Sequence, residues 1–153
     1  MDNHPAVCVK PIEYVNNPVM IYWNLKVISI SSCLQVDFNG QVNSEMVGTK
    51  QYSGVGRLLD FVRGAAMCPD GKSVLAMPST AENEKISRIA PAFEPGTVVT
   101  TTQADVHYIV MEYSTFNLKG MSLRERAKLL IGIAQPKFRN ELMAAYERWY
   151  GMS

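Results

Sequence analysis

The chain has 153 residues, of which 47% are hydrophobic and 19% charged, and its net charge is +1. That is the balance of a folded globular protein, long enough for one domain with a sizeable core. A near-neutral chain lacks the basic footprint of a nucleic-acid binder. No apolar run approaches the roughly 18 residues of a membrane span. Residues 1–9 show neither a signal-peptide nor a transit-peptide pattern. Cys8, Cys33 and Cys68 are odd in number and lack metal-ligand spacing. They read as reduced thiols of a cytoplasmic protein. The two histidines lie far apart, which gives a metal site little support.

In chain order, residues 1–12 contain proline and have no clear period. Asn17-Pro18 opens a short helical stretch towards Trp23, with Asn17 as N-cap. Residues 27–45 then hold two alternating runs joined by Asn39-Gly40, a strong signal for a tight hairpin. Leu34, Val36 and Phe38 form an apolar row expected to face a core. Cys33, Gln35 and Asp37 form a polar row expected to face a cleft or solvent. Tyr52 to Gly56 is a small-residue turn leading into a helix over Arg57 to Met67, which Pro69-Asp70-Gly71 ends. Ser73 to Met77 reads as a buried strand, Pro78 to Lys85 as a polar loop, and Ile86 to Ala90 as another short strand. Val98 to Thr102 and Val106 to Met111 have strand composition. Ser122-Leu123-Arg124-Glu125 fits a capping box opening a helix to about Ile133, with Arg124, Glu125, Arg126 and Lys128 on its solvated face. Pro136 starts a last helix with Leu142, Ala145, Tyr146 and Trp149 on one side, and Gly151 is its stop. Short strands interleaved with helices indicate an α/β fold.

Few residues announce chemistry by themselves. Gly54-x-Gly56 before a helix is part of a phosphate-cradling pattern, though a plain turn explains it as well. His107 lies among strand residues with no Ser or carboxylate at a telling spacing, and reads as a packed or hydrogen-bonded histidine. Cys33 shares a face with Gln35 and would be a nucleophile only with a lowered pKa. No cation is nearby in sequence, and a buried thiol is the ordinary case. Glu112 follows a strand, where α/β sheets place functional groups, and pairing with an arginine explains it equally.

Taken together, several segments resemble the C-terminal part of the acetyl-CoA hydrolase/transferase family. They are Y-V-N-N-P-V-M at 14–20, the hairpin at 29–45, D-F-V-R-G-A at 60–65 and P-S-T-A with K-I-S-R-I-A-P within 78–91. A-D-V-H-Y-I-V-M-E-Y with N-L-K-G within 104–120, and S-L-R-E-R-A-K-L-L-I-G-I-A-Q-P-K-F-R at 122–139, complete the set. Their order holds across nearly the whole chain, and the nearest flavour is the 4-hydroxybutyrate or butyrate type. The resemblance implies an α/β domain with a mixed sheet flanked by helices. It also implies a single C-terminal domain over residues 1–153 without the family's N-terminal half.

The resemblance further implies CoA transfer between an acyl-CoA and a short-chain carboxylate. In the family a Glu carboxylate attacks the thioester, and an anhydride and then a glutamyl-CoA thioester follow. It places Gln35 at the nucleophile's position, and Val110, Ser114, Gly54 and Gly56 at the coenzyme A site. This chain departs from the family pattern at three of its positions. Gln35 is a neutral amide, Ser114 replaces a glycine expected to supply an oxyanion N–H, and Arg57 replaces the second of two glycines. Two readings stand open. One is a CoA-transferase domain that works with a partner subunit or as a homo-oligomer. The other is a catalytically silent regulatory or interaction subunit.

Overall fold

The structure, a computed structural model, describes residues 4–151. Asn39-Gly40 reverses the chain through a three-residue loop, wider than the expected two-residue turn. Strands β1 (Ile28–Ser32), β2 (Gln35–Asp37) and β3 (Val42–Asn43) surround it. β2 and β3 are antiparallel, with Gln35 opposite Asn43 and Val36 opposite Val42. The Gly40 N–H donates to the Asp37 carbonyl at 2.9 Å, and Gly40 has φ +82°. A left-handed glycine closing a type I turn is the usual three-residue hairpin. The Asp37 carboxylate fastens it, accepting from the Gln41 N–H and from Gln41 Nε2, each at 2.8 Å.

The run before the turn is two strands in two sheets. Small hairpins β4 (Met46–Val47) with β5 (Lys50–Gln51), and β7 (Thr80–Ala81) with β8 (Ile86–Ser87), follow in the chain. β6 (Lys72–Ala76), β9 (Ile89–Ala90), β10 (Tyr108–Val110) and β11 (Thr115–Asn117) complete the strands. One sheet has the order β1-β6-β10-β11, its first three strands parallel and β11 antiparallel; the other is β3-β2-β9. The chain changes sheet at Cys33-Leu34, and that breaks the expected alternation. Val36 and Phe38 are fully buried as expected, but Leu34 is half-buried while Cys33 and Asp37 are buried.

Helices α1 (Ile12–Val15), α2 (Pro18–Tyr22), α3 (Leu58–Met67), α4 (Leu123–Ile133) and α5 (Pro136–Tyr150) fill the connections. Asn17 caps α2, its side chain accepting from the Val19 N–H at 2.9 Å. Gly64 lets α3 lie against α2, because a Cβ there would come within 2.6 Å of Ile21. The Ser122–Glu125 capping box opens α4, and Pro136 opens α5. Gly151 ends α5 with φ −81°, so its stop uses no left-handed glycine. The shared core contains Phe38, Val62, Leu75, Ile109, Leu118 and Leu130. Burying each large apolar side chain contributes about 1.5–3 kcal/mol.

Four further expectations change. Val98 to Thr102 forms no strand; a single bridge joins Thr101 to Val42, and the Thr100 and Thr101 N–H groups both donate to the Val42 carbonyl. With β3 only two residues long, there is no ladder to extend. Pro78 to Lys85 is half hairpin, because Glu82, Asn83 and Glu84 turn the chain with φ of 51°, 54° and 66°. The expected strand Ile86 to Ala90 is divided at Arg88 between β8 and β9. Arg126 is buried, 8% exposed, and donates to the carbonyls of Met121, Asn39 and Gln103. Among the described residues, no helix is long and apolar enough to cross a membrane.

Candidate functional site

Two clefts flank the segment that leads from β1 through β5, and they share no lining residue. The first, about 560 Å³, is lined by Ser29 and Ser31 of β1, by Ser44, Ser53 and Gly54, and by Arg57 at the start of α3. The second, about 380 Å³, is lined by Gln35 with Leu34, Met46, Ala81, Glu82 and Arg88.

The first cleft is built around an open helix start. Arg57 occupies the N-cap of α3 with φ −96° and makes no side-chain capping bond. First-turn N–H groups have no carbonyl four residues back, and together with the helix dipole they favour an anion. Asp60 in that turn offsets part of this field. Gly56 is left-handed, φ +59°, and a Cβ on either Gly54 or Gly56 would meet nothing within 4 Å. A ligand can therefore approach the backbone closely. The turn is anchored from behind: the Glu45 carbonyl accepts from the Tyr52 and Ser53 N–H groups at 2.6 and 3.1 Å, and its carboxylate accepts from Gln51 Nε2 at 3.2 Å. Ser53 Oγ donates to the Ser44 carbonyl at 3.1 Å. Gly56 opens on the other side of the turn, towards a hollow shared with Asp60 and Pro18.

In the second cleft the arginine is already committed. Arg88 donates through Nε to the Thr80 carbonyl at 3.0 Å and through Nη1 to the Leu34 carbonyl at 3.1 Å. Burial pushes the neighbouring Cys33 thiol up to about 12, with the Arg88 charge only partly opposing it. A thiol held there stays protonated and is no nucleophile at neutral pH. Gln35 is half-buried on the wall of this cleft, away from Gly54.

The remaining expected site residues lie elsewhere. Val110 is half-buried in β10 and its carbonyl accepts from the Met77 N–H at 3.1 Å. Ser114 closes the turn between β10 and β11, its carbonyl accepting from the Met111 N–H at 3.1 Å. It is not among the residues with positive φ, so serine in place of glycine causes no left-handed strain. Glu112 accepts from the Ser79 N–H at 2.8 Å, and among the described residues no arginine forms an ion pair with it. Desolvation pushes its carboxyl up, but hydrogen bonds from its own backbone and from Ser79, with the Arg88 charge, bring it below the usual range. Burial, then the charges of Lys119 and Lys72, lower the His107 imidazole, and its Nδ1 is buried without a hydrogen bond. Among the described residues, no group of three or more His, Cys, Asp or Glu could hold a metal ion. The serine hydroxyl residues of the first cleft were not singled out from sequence. The signal was the S-x-S spacing of Ser29 and Ser31, which puts both on one face of a strand.

The profile of the acetyl-CoA hydrolase/transferase C-terminal domain matches residues 1–146, and the chain belongs to that family. It is 49% identical over 148 residues to a 4-hydroxybutyrate coenzyme A transferase of Clostridium kluyveri, covering 97% of this chain and 34% of that protein. It is 39% identical over 151 residues to a butyryl-CoA:acetate CoA-transferase of Anaerostipes caccae, with the same coverages of 97% and 34%. Among solved structures, RipA from Yersinia pestis superposes with a TM-score of 0.89 at 45% identity, over 97% of this chain and 33% of RipA. A 4-hydroxybutyrate CoA-transferase from Porphyromonas gingivalis gives 0.79 at 36% identity, over 97% and 33%. The chain thus spans about a third of the length of the relatives it matches.

Proposed function

We propose that this chain holds the CoA thioester for a CoA-transferase in the Gly54–Arg57 cleft, and that the attacking carboxylate comes from outside residues 1–153. The observation carrying this is the open start of α3, with Gly54, Gly56 and Arg57, beside a roomy polar cleft in a chain of this family. Its substrates are an acyl-CoA and a short-chain carboxylate, as the relatives' names indicate for them. The unpaired thiols of Cys8, Cys33 and Cys68 fit a reducing, cytoplasmic setting.

In the transfer, a carboxylate oxygen adds to the thioester carbonyl and the C–S bond breaks. CoA leaves as thiolate and an acyl anhydride remains. The thiolate then attacks the enzyme's carbonyl of that anhydride, releasing the acyl carboxylate and forming an enzyme-bound CoA thioester. The acceptor acid opens that thioester by the same two steps in reverse. Each addition makes an oxyanion that backbone N–H donors stabilise. On this reading the turn's N–H groups serve an anionic oxygen, and Arg57 meets a CoA phosphate. Gln35 cannot begin this sequence, because a neutral amide gives no such anhydride. It also lines the other cleft.

Intact-mass spectrometry after incubation with butyryl-CoA tests the reading. The chain would be examined alone and with the preceding two thirds of the Clostridium kluyveri relative. A covalent CoA adduct is expected only in the mixture, and peptide mapping should place it outside residues 1–153. Arg57→Ala should weaken CoA binding by about tenfold or more, the loss of one charge-assisted contact. An adduct on isolated Gln35→Glu protein would overturn the assignment and return the nucleophile to the hairpin. The second reading, a silent regulatory or interaction subunit, is favoured by Gln35 itself. It predicts a stable complex with neither CoA binding nor an adduct.

A further inference from the structure

We infer that the hollow between α3 and the approach to β10 is a binding site for a small carboxylate carrying a short apolar chain. It measures about 300 Å³ and shares no lining residue with either of the clefts described above. Three of the segments that carry the family resemblance meet there. Pro18 comes from 14–20, Arg63 from 60–65, and Asp105, His107 and Lys119 from 104–120. The proposed transfer reaction uses none of these five residues.

The polar wall has positive charge and bonding capacity left over. Arg63 forks onto Asp105, Nε donating to Oδ1 at 3.1 Å and Nη2 to Oδ2 at 3.0 Å. Thr102 Oγ1 donates to the same carboxylate at 3.1 Å. Asp105 is thereby matched, and the fork does not use Arg63 Nη1. The Leu118 N–H donates to the His107 carbonyl at 2.8 Å, which sets Lys119 close to His107. Among the described residues Lys119 joins no ion pair. His107 Nδ1 is buried with no hydrogen-bond partner. A half turn of the ring about χ2 exchanges the nitrogen at that edge for a carbon and turns the nitrogen outward. Burial first, then the Lys119 and Lys72 charges, hold this imidazole below its usual range, so the local field is positive. With Arg63 offset by Asp105, the lysine charge is what an anion would balance.

The rest of the wall decides which anion. Pro18, Ala66, Met67 and Ala104 supply it. Arg63, Ala66 and Met67 stand three and four residues apart, on one face of α3. The helix therefore presents a cation and an apolar strip side by side. Inorganic phosphate has no use for such a strip, whereas a carboxylate with a few methylenes fills both parts. His107 directly precedes β10, whose Tyr108 pairs with Val74 of β6, so the hollow lies at the amino end of these parallel strands. Open α/β sheets place their reaction sites at the carboxyl ends. A carboxylate held here is an effector and not a reactant.

The test is a butyrate titration of the full chain at constant ionic strength, read by NMR. The chain has two histidines, His4 and His107, so His107→Gln assigns the imidazole signals. The His107 signals should shift saturably, half complete at about 1 mM or below. Acetate should bind about tenfold more weakly, for want of two buried methylenes. Lys119→Met should weaken butyrate about tenfold, the loss of one charge-assisted contact, and Lys119→Arg should restore most of it. Lys119 is exposed, so both variants should melt at the parent temperature. Bound butyrate should also raise the His107 titration midpoint, because it offsets the Lys119 and Lys72 charges; Arg63 and Asp105, paired with each other, are the other charged groups at this ring. A shift that grows linearly and is matched by chloride would overturn the inference. So would equal binding of acetate or inorganic phosphate, which would remove the role of the apolar strip, or binding indifferent to Lys119→Met. No CoA is present, so failure here is distinct from failure of the CoA-binding assignment, which Arg57→Ala probes at another cleft.

Discussion

The chain turns on glycine at Gly40 and again at Gly54–Gly56, and the two turns are opposites. Around Gly40 every position is filled: a Cβ there would lie 3.0 Å from Arg126 Nη1 and 3.3 Å from a Leu118 methyl. Asp37, Gln41 and Arg126 all spend their polar atoms holding the loop. Around Gly54 and Gly56 the space is empty, and the helix start beyond them is uncapped. The first turn carries the strong sequence signal, Asn-Gly, and serves architecture. The second carries a weak one, and has an uncapped helix start with open space beside its glycines. The site proposed above uses the turn where bonding capacity is left over, the less conspicuous glycine pair.

The largest test of this contrast removes the arginine that fills the first turn. Arg126→Met keeps the stem's packing but abandons three carbonyls, on Met121, Asn39 and Gln103, the last bonded at 2.7 Å. Hydrogen bonds from a charged donor contribute about 1.5–3 kcal/mol each, less where water can replace them. A loss of about 3 kcal/mol in urea unfolding is expected. A loss under about 1 kcal/mol would mean that water satisfies these carbonyls and the turn is not locked. The next contrast substitutes both left-handed glycines. Gly40→Ala should cost about 2 kcal/mol, combining left-handed strain with the clash on Arg126. Gly56→Ala meets no neighbour and should cost only about 1 kcal/mol of backbone strain. Equal costs would break the distinction.

Signals that depend on few residues were legible, and those that depend on distant partners were not. The Asn17 cap, the Ser122–Glu125 capping box and Pro136 each specify a helix start through bonds made within four residues. Val98 to Thr102 has strand composition, but a strand needs a long enough neighbour, and β3 offers only two residues. The reversal at Glu82 to Glu84 uses left-handed residues with no glycine to mark them. Arg126 was readable after all, because Leu130, Ile133 and Ala134 follow it at helical spacing and all are buried. Its charge obscured a position the period puts inside. Family motifs identify the lineage. They did not reveal that Gln35 and Gly54 line separate clefts, because the change of sheet at Cys33-Leu34 has no sequence mark.

Asp37 gives the smallest and most specific test of the filled turn. Burial raises its carboxyl above the usual 3.8, and the hydrogen bonds from Gln41 and Asn39 recover only part of that penalty. The folded state therefore holds the Asp37 proton more tightly than the unfolded chain does. Stability from this group is present below about 3.8, the unfolded value, and is lost as pH rises through the raised folded value. Asp37→Asn cannot titrate, so the parent's stability relative to that variant should rise as pH falls from neutral, then level off in strong acid. Urea unfolding of both proteins between neutral and acid pH measures the difference. If it falls on acidification instead, the Gln41 and Asn39 donors outweigh burial. The turn would then prefer a charged carboxylate and would resemble the anion site proposed at Gly54 more than its filled surroundings suggest.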